Sequence, residues 1–244
     1  MPEFVTRMRA LVPITLVLVT LLGGCGRKTE SVAPPQQDWF VDRAKEAGID
    51  FVHVNGMSGR LYMPEILAPG VALFDYDNDG DLDVFLVQGG SLPGPGTRDP
   101  GPGAGGRLFR NDLSVGSDGT RTLRFTDVTT QSGIATQGYG MGVAAGDVNN
   151  DGWVDLYLTK FDAANQLLRN NGNGTFTDVS KASGTDQNSW SVSASFVDVN
   201  RDGWLDLYVG NYIRYSLESN TPCFGSSGAT DYCMPQAYQP LQDR

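Results

Sequence analysis

Between Phe74 and Val87 the chain reads FDYDNDGDLDVFLV, which places Asp75, Asp77, Asp79, Asp81 and Asp83 at alternate positions of one short turn. Two unit charges about 4 Å apart repel by roughly 1 kcal/mol in water and several times more near protein, so a turn this acidic calls for a cation. The pattern returns as Asp147-Val148-Asn149-Asn150-Asp151-Gly152-Trp153-Val154-Asp155 and as Asp198-Val199-Asn200-Arg201-Asp202-Gly203-Trp204-Leu205-Asp206. In D-x-[DN]-x-D-G-x-x-D the first, third and fifth side chains project inward. Glycine reverses the backbone, the seventh residue offers its carbonyl, and the ninth carboxylate closes the cage. Hard oxygen donors in a loose arrangement favour calcium over magnesium, zinc or iron. The expected ligands are Asp75, Asp77, Asp79, Asp83 and the Asp81 carbonyl; Asp147, Asn149, Asp151, Asp155 and the Trp153 carbonyl; and Asp198, Asn200, Asp202, Asp206 and the Trp204 carbonyl. About three Ca²⁺ sites follow. An EF-hand needs glutamate at the twelfth position and helices on both flanks; Leu86, Leu158 and Val209 stand there instead.

Strands must carry these turns. After each one, apolar residues alternate: Val154, Leu156 and Leu158 lie on one face with Tyr157 on the other, and Leu205, Leu207 and Val209 lie opposite Tyr208. Both faces are largely apolar, as in a sheet covered on both sides. A second motif is interleaved. Phe125-Thr126-Asp127-Val128 matches Phe176-Thr177-Asp178-Val179, and each phenylalanine stands 22 positions before the next loop aspartate. A weaker copy begins at Phe40-Val41-Asp42, followed by Ala47-Gly48-Ile49. A third element, Leu108-Phe109-Arg110-Asn111, returns as Leu167-Leu168-Arg169-Asn170. Residues 91–106 are a glycine-proline insertion and read as a surface loop. Repeats of about 50 to 70 residues holding several short strands suit radially stacked blades, so the fold expected is all-β, a β-propeller over residues 39–244.

The remaining composition narrows the chemistry. Among 244 residues, 28 acids against 18 lysines and arginines give a net charge of -10, which argues against a nucleic-acid partner. With His53 the sole histidine, no Ser-His-Asp arrangement, phosphate loop or dinucleotide fingerprint is present, and the chain itself is not expected to be an enzyme. His53 reads as a structural strand residue, Arg110 and Arg169 as partners of acids within or between blades, and Trp153, Trp204, Tyr157 and Tyr208 as blade-packing residues. Arg7 and Arg9 precede an apolar run, Leu11 to Leu22, too short to span a bilayer and suited to a secretion signal. Residues 1–25 therefore read as a signal peptide and 26–38 as a polar, proline-bearing linker. In an oxidising compartment Cys223 and Cys233 are most simply a disulfide.

Several of these motifs resemble known families. Leu22-Gly23-Gly24-Cys25 resembles the bacterial lipobox, which implies lipidation at Cys25, a membrane anchor and residence in the bacterial cell envelope, at the outer membrane or cell surface. The acidic turns, Gly70-Val71-Ala72 and Gly142-Val143-Ala144 before them, the L-x-R-N element, F-x-D-V and Tyr232-Cys233-Met234-Pro235 resemble the FG-GAP or VCBS repeats of integrin-type propellers. The likeness is closest to the cartilage acidic protein-like family associated with the ASPIC/UnbV domain. The resemblance covers about residues 38 to 244 and implies a propeller of about seven blades. With three loops and no ASPIC/UnbV segment here, an N-terminal part of a longer protein is expected. The function expected is a calcium-binding, envelope-anchored module for a protein or glycan ligand. The alternatives are the scaffold of a larger secreted enzyme acting on polysaccharide, or a spacer without a specific ligand.

Overall fold

The computed structural model describes residues 39–95 and 105–244. The expected signal peptide, lipid anchor and linker, and the middle of the glycine-proline insertion, lie outside the described residues. Within the unit Asp42–Arg244 the first sheet holds β1 (Val71–Phe74), β2 (Asp83–Leu86), β3 (Arg107–Asn111) and, beyond a small hairpin of β4 (Ser114–Val115) and β5 (Arg121–Thr122), β6 (Phe125–Asp127). The second holds β7 (Tyr139–Gly146), β8 (Asp155–Phe161), β9 (Gln166–Asn170) and β10 (Phe176–Asp178). Both are antiparallel meanders, ordered β1-β2-β3-β6 and β7-β8-β9-β10. Two four-stranded sheets with the same path, stacked face to face, are consecutive blades of the propeller type.

Repeat-equivalent residues occupy equivalent faces. Leu156, Leu158 and Leu168 point at the first blade and share a core with Ala72, Phe74, Phe85 and Leu108, while Val143 and Ala145 pack against it. The opposite face of the second blade carries Ala144, Tyr157 and Leu167, which meet Ala194, Phe196, Leu207 and Val209 of the third repeat. All seven residues of β8 are buried, as a strand covered on both faces requires. The innermost strands come close: a Cβ on Gly142 would sit 2.5 Å from the Val192 carbonyl oxygen, so only glycine fits there.

The third repeat departs from the four-stranded plan. Among the described residues its sheet pairs only β11 (Ser191–Val197) with β12 (Asp206–Asn211), and no L-x-R-N segment lies between Asn211 and Arg244. Instead the chain passes through β13 (Ile213–Arg214) to a hairpin of β14 (Cys223–Phe224) and β15 (Thr230–Asp231), and returns in β16 (Gln239–Pro240). Arg244 then exchanges backbone hydrogen bonds with Val209, laying this last segment beside β12. Cys223 and Cys233 are joined by a disulfide. The blade-packing role read for Trp204 and Tyr208 is not met: they are 54% and 52% exposed, since no described sheet covers the far face of β11 and β12. Tyr157, the counterpart of Tyr208 in the middle blade, is buried and donates to the Thr185 carbonyl. His53 also departs from the strand expected for it. It lies in an extended segment outside any sheet, because the Gln88 side chain, not a neighbouring strand, takes up the polar groups of residues 52–54.

Candidate metal centre

Each acidic turn links the innermost strand of a blade to the next, and all three use one hydrogen-bonding frame. The first aspartate accepts from the backbone of the fifth and sixth residues: Asp75 from Asp79 (3.2 Å) and Gly80 (2.9 Å), Asp147 from Asp151 (3.1 Å) and Gly152 (2.8 Å), Asp198 from Asp202 (3.1 Å) and Gly203 (2.9 Å). The fifth aspartate accepts from the seventh N–H, that of Asp81, Trp153 or Trp204, at 2.9 Å in each turn. This contact uses only backbone of the seventh residue, whose side chain is accordingly free to vary. Gly80, Gly152 and Gly203 all lie at positive φ, the reversal the motif demands.

The ninth aspartate is wholly buried in the first two turns, where Asp83 and Asp155 are 0% exposed. One oxygen of Asp83 accepts from Tyr76 N (2.8 Å) and the other from Asn111 N on β3 (2.8 Å). Asp155 does the same with Val148 N (3.0 Å) and Asn170 N (2.7 Å). The carboxylate thus ties the turn to the third strand. Asp206 makes only the contact to Val199 N among the described residues, where no third strand is assigned beside β12.

Whether these residues suit a cation can be judged from their own electrostatics. Asp75, Asp77 and Asp83 place carboxylate oxygens within 4.8 Å of one another. Asp77 Oδ1 is buried and has no hydrogen-bond partner among the described residues. Burial, then repulsion from Asp79 and Asp75, pushes the Asp77 carboxyl above its ordinary range. Asp83 is raised to about 6, chiefly by burial, even though Tyr76 N and Asn111 N oppose the shift. Burial raises Asp155 as well. Anions held at a disadvantage, with an orphaned buried oxygen among them, fit a hard divalent cation. In the second and third turns an asparagine replaces the third carboxylate: Asn149 Nδ2 bonds Asp151 Oδ2 (2.8 Å) and Asn200 Nδ2 bonds Asp202 Oδ2 (3.0 Å). Their side-chain oxygens suit the same ion with one charge fewer. Arg110 beside the first turn pairs with Asp112 at 2.7 Å, while among the described residues Arg169 joins no ion pair.

Two kinds of asparagine complete the site, and the sequence reading gave neither a role. Asn111 and Asn170, the last residues of L-x-R-N, brace the turns: Asn111 Nδ2 donates to the Leu82 carbonyl, and Asn170 Nδ2 to those of Tyr76 (2.8 Å) and Val154. Asn78 and Asn150 sit at the fourth position with φ of 58° and 55°. From there Asn78 Nδ2 donates to the Gly152 carbonyl (3.0 Å) and Asn150 Nδ2 to the Gly203 carbonyl (2.8 Å), clasping each turn to the next. Asparagine is among the few residues that accept a left-handed backbone, and that was the available signal. Asn150→Gly should cost about 1 kcal/mol, the clasp alone, and Asn150→Ala about 2 kcal/mol, because alanine adds the backbone penalty. Urea unfolding of the pair measures the difference.

Two comparisons bear on this geometry. The model of the FG-GAP-like repeat matches residues 75–158 and 147–209, which together span more than half of the chain and contain all three acidic turns. Cartilage acidic protein 1 of Mus musculus is 30% identical over 143 residues, 58% of this chain and 21% of that protein. The Homo sapiens and Xenopus tropicalis proteins of the same name are each 30% identical, over 103 and 100 residues. The chain thus matches about a fifth or less of the length of these relatives.

Proposed function

The chain belongs to the FG-GAP-like repeat family, whose repeats are those of integrin-like binding or adhesion modules, and we propose that it is a calcium-loaded module of this kind, displayed on a bacterial envelope and binding a protein or glycan. The observation that carries the calcium reading is the convergence of Asp75, Asp77 and Asp83 around a buried oxygen without a partner. The ions cross-link each turn to the strands it joins, so the blade edges become rigid enough to present a binding surface. Catalysis is no part of the proposed role. The proposed lipid anchor at Cys25 supplies the attachment.

Calorimetry on chelator-treated protein should show about three calcium sites. The first turn should bind tightest, because it offers four side-chain carboxylates against three in each of the others. Asp75→Asn should then abolish the tightest phase; loss of a weaker phase instead would contradict the ranking. Glycan-array and pull-down measurements, in calcium and then in chelator, test the binding role. A ligand retained only with calcium supports it, and no ligand in either condition favours a structural spacer.

A further inference from the structure

Away from the acidic turns, at the other end of the second blade, a cavity of about 710 Å³ opens beside Lys160. Lys160 shares the face of β8 that carries the core residues Leu156 and Leu158 and is only 4% exposed. Among the described residues its ammonium makes one hydrogen bond, to Gln166 Oε1 at 2.6 Å, and no ion pair. Burial lowers its pKa to about 8, only partly offset by the Asp178 carboxylate. A buried ammonium with unused donors is costly to the fold, and such costs concentrate where a ligand is bound.

The first blade shows what the same place looks like when it is closed. There Gln88 stands at the position of Lys160, and its side chain is engaged by Val54 N (2.7 Å), His53 Nδ1 (3.0 Å) and the Val52 carbonyl (3.0 Å). Arg107, at the position of Gln166, pairs directly with Asp127. The segments entering the two blades correspond, since Phe125 N bonds the Ala47 carbonyl as Phe176 N bonds that of Ser132. His53 therefore corresponds to Gly138. In the second blade the covering side chain is gone, the cation stands on the second strand instead of the third, and Gln166 relays between Lys160 and Asp178 (2.8 Å).

We propose that this cavity binds a uronate unit of an acidic glycan, the Lys160 ammonium donating to the sugar carboxylate and Asp178, Asp186 and the Gln137 amide bonding its hydroxyls. The volume lies in the range of small-ligand pockets. Gln137 supplies a donor and an acceptor on the wall, while the amides of Asn165 and Gln166 are already bonded to Lys160, Ser191, Ala135 and Asp178 and hold the wall in place. Asp178 and Asp186 accept hydroxyl protons but repel further carboxylates, whereas Lys181 adds one more cation at the wall. That balance suits a sugar bearing one acid among several hydroxyls better than a polyacidic peptide. The inference rests on the reading of the chain as a binding module and is independent of the calcium sites.

The test titrates the calcium-loaded full chain with trigalacturonate, galacturonate, neutral galactose and a tetraglutamate peptide, using parent protein, Lys160→Met and Lys160→Gln. Parent protein should prefer the uronates. Both variants should weaken uronate binding tenfold or more, as expected for loss of a shielded charge-assisted hydrogen bond. They should keep the parent's calcium stoichiometry and melt at or above its temperature, because a buried unpaired charge has been removed. Absence of uronate binding, equal binding by Lys160→Met, preference for the peptide or for galactose, or a lowered melting temperature in both variants would each overturn the proposal. If uronates fail while the array yields another ligand, only this inference falls; if the array is also empty, the module reading falls with it.

Discussion

Asp155→Ala is expected to destabilise the protein by about 3–5 kcal/mol, the range for breaking a buried charged network. The carboxylate is wholly buried and receives the N–H groups of Val148 and Asn170, so alanine strands two buried donors and opens the joint between turn and third strand. Asp155→Asn retains one acceptor oxygen but turns an amide N–H₂ toward the other donor; about 1–3 kcal/mol is expected. In this chain, Asp206→Ala loses a single such bond among the described residues, in a less buried setting, and should cost about 1–2 kcal/mol. Most of the Asp155→Ala penalty should persist in chelator, because the stranded N–H groups do not depend on metal. Urea unfolding of the three variants, with calcium and with chelator, separates the bracing role of the ninth aspartate from its role toward the ion. Equal costs at 155 and 206 would contradict the bracing account.

The second large effect is expected at Trp190. Its ring lies 4.8 Å from that of Phe161, 5.3 Å from Tyr212 and 5.2 Å from Tyr215, and it is buried in the core that holds Ile213 and Cys233. It is therefore the pin between the second blade and the disulfide-bearing segment after β12. Trp190→Ala should cost about 3–5 kcal/mol through the cavity it leaves. Trp190→Phe should cost only about 1 kcal/mol, since the indole N–H is buried without a partner among the described residues and nothing is lost with it. Limited proteolysis should then cut the segment after Tyr212 faster in the alanine variant. Equal cleavage rates would show that the segment is held elsewhere.

The sheet architecture was legible in the sequence because both faces of Leu156-Tyr157-Leu158 are apolar, the pattern of a strand packed on two sides, and the same pattern recurs after each acidic turn. The spacing of glycine and aspartate likewise foretold where the turns reverse, since Gly80, Gly152 and Gly203 take the positive φ their place requires. What the sequence did not disclose is held by interactions that local pattern does not encode. Asn78 and Asn150 act on turns 74 and 53 residues away, so their role appears only once blades are stacked. Trp204 and Tyr208 carry the same motif as Trp153 and Tyr157 but lie on a face that no described sheet covers. Lys160 was invisible as a site because burial depends on the neighbouring blade. The cue lay in the alignment of the repeats, where glutamine and arginine of the first blade become lysine and glutamine in the second.

If the three acidic turns hold Ca²⁺, as we propose, the stability of the fold should depend on that ion. The direct measurement is the melting temperature of chelator-stripped protein as calcium is added back. Each site should contribute about 2.7 kcal/mol at a hundredfold excess over its Kd. Three sites should therefore raise the melting temperature by about 15 °C or more in a chain of this size, with magnesium at equal concentration giving far less. A melting temperature that does not move with calcium would contradict the account.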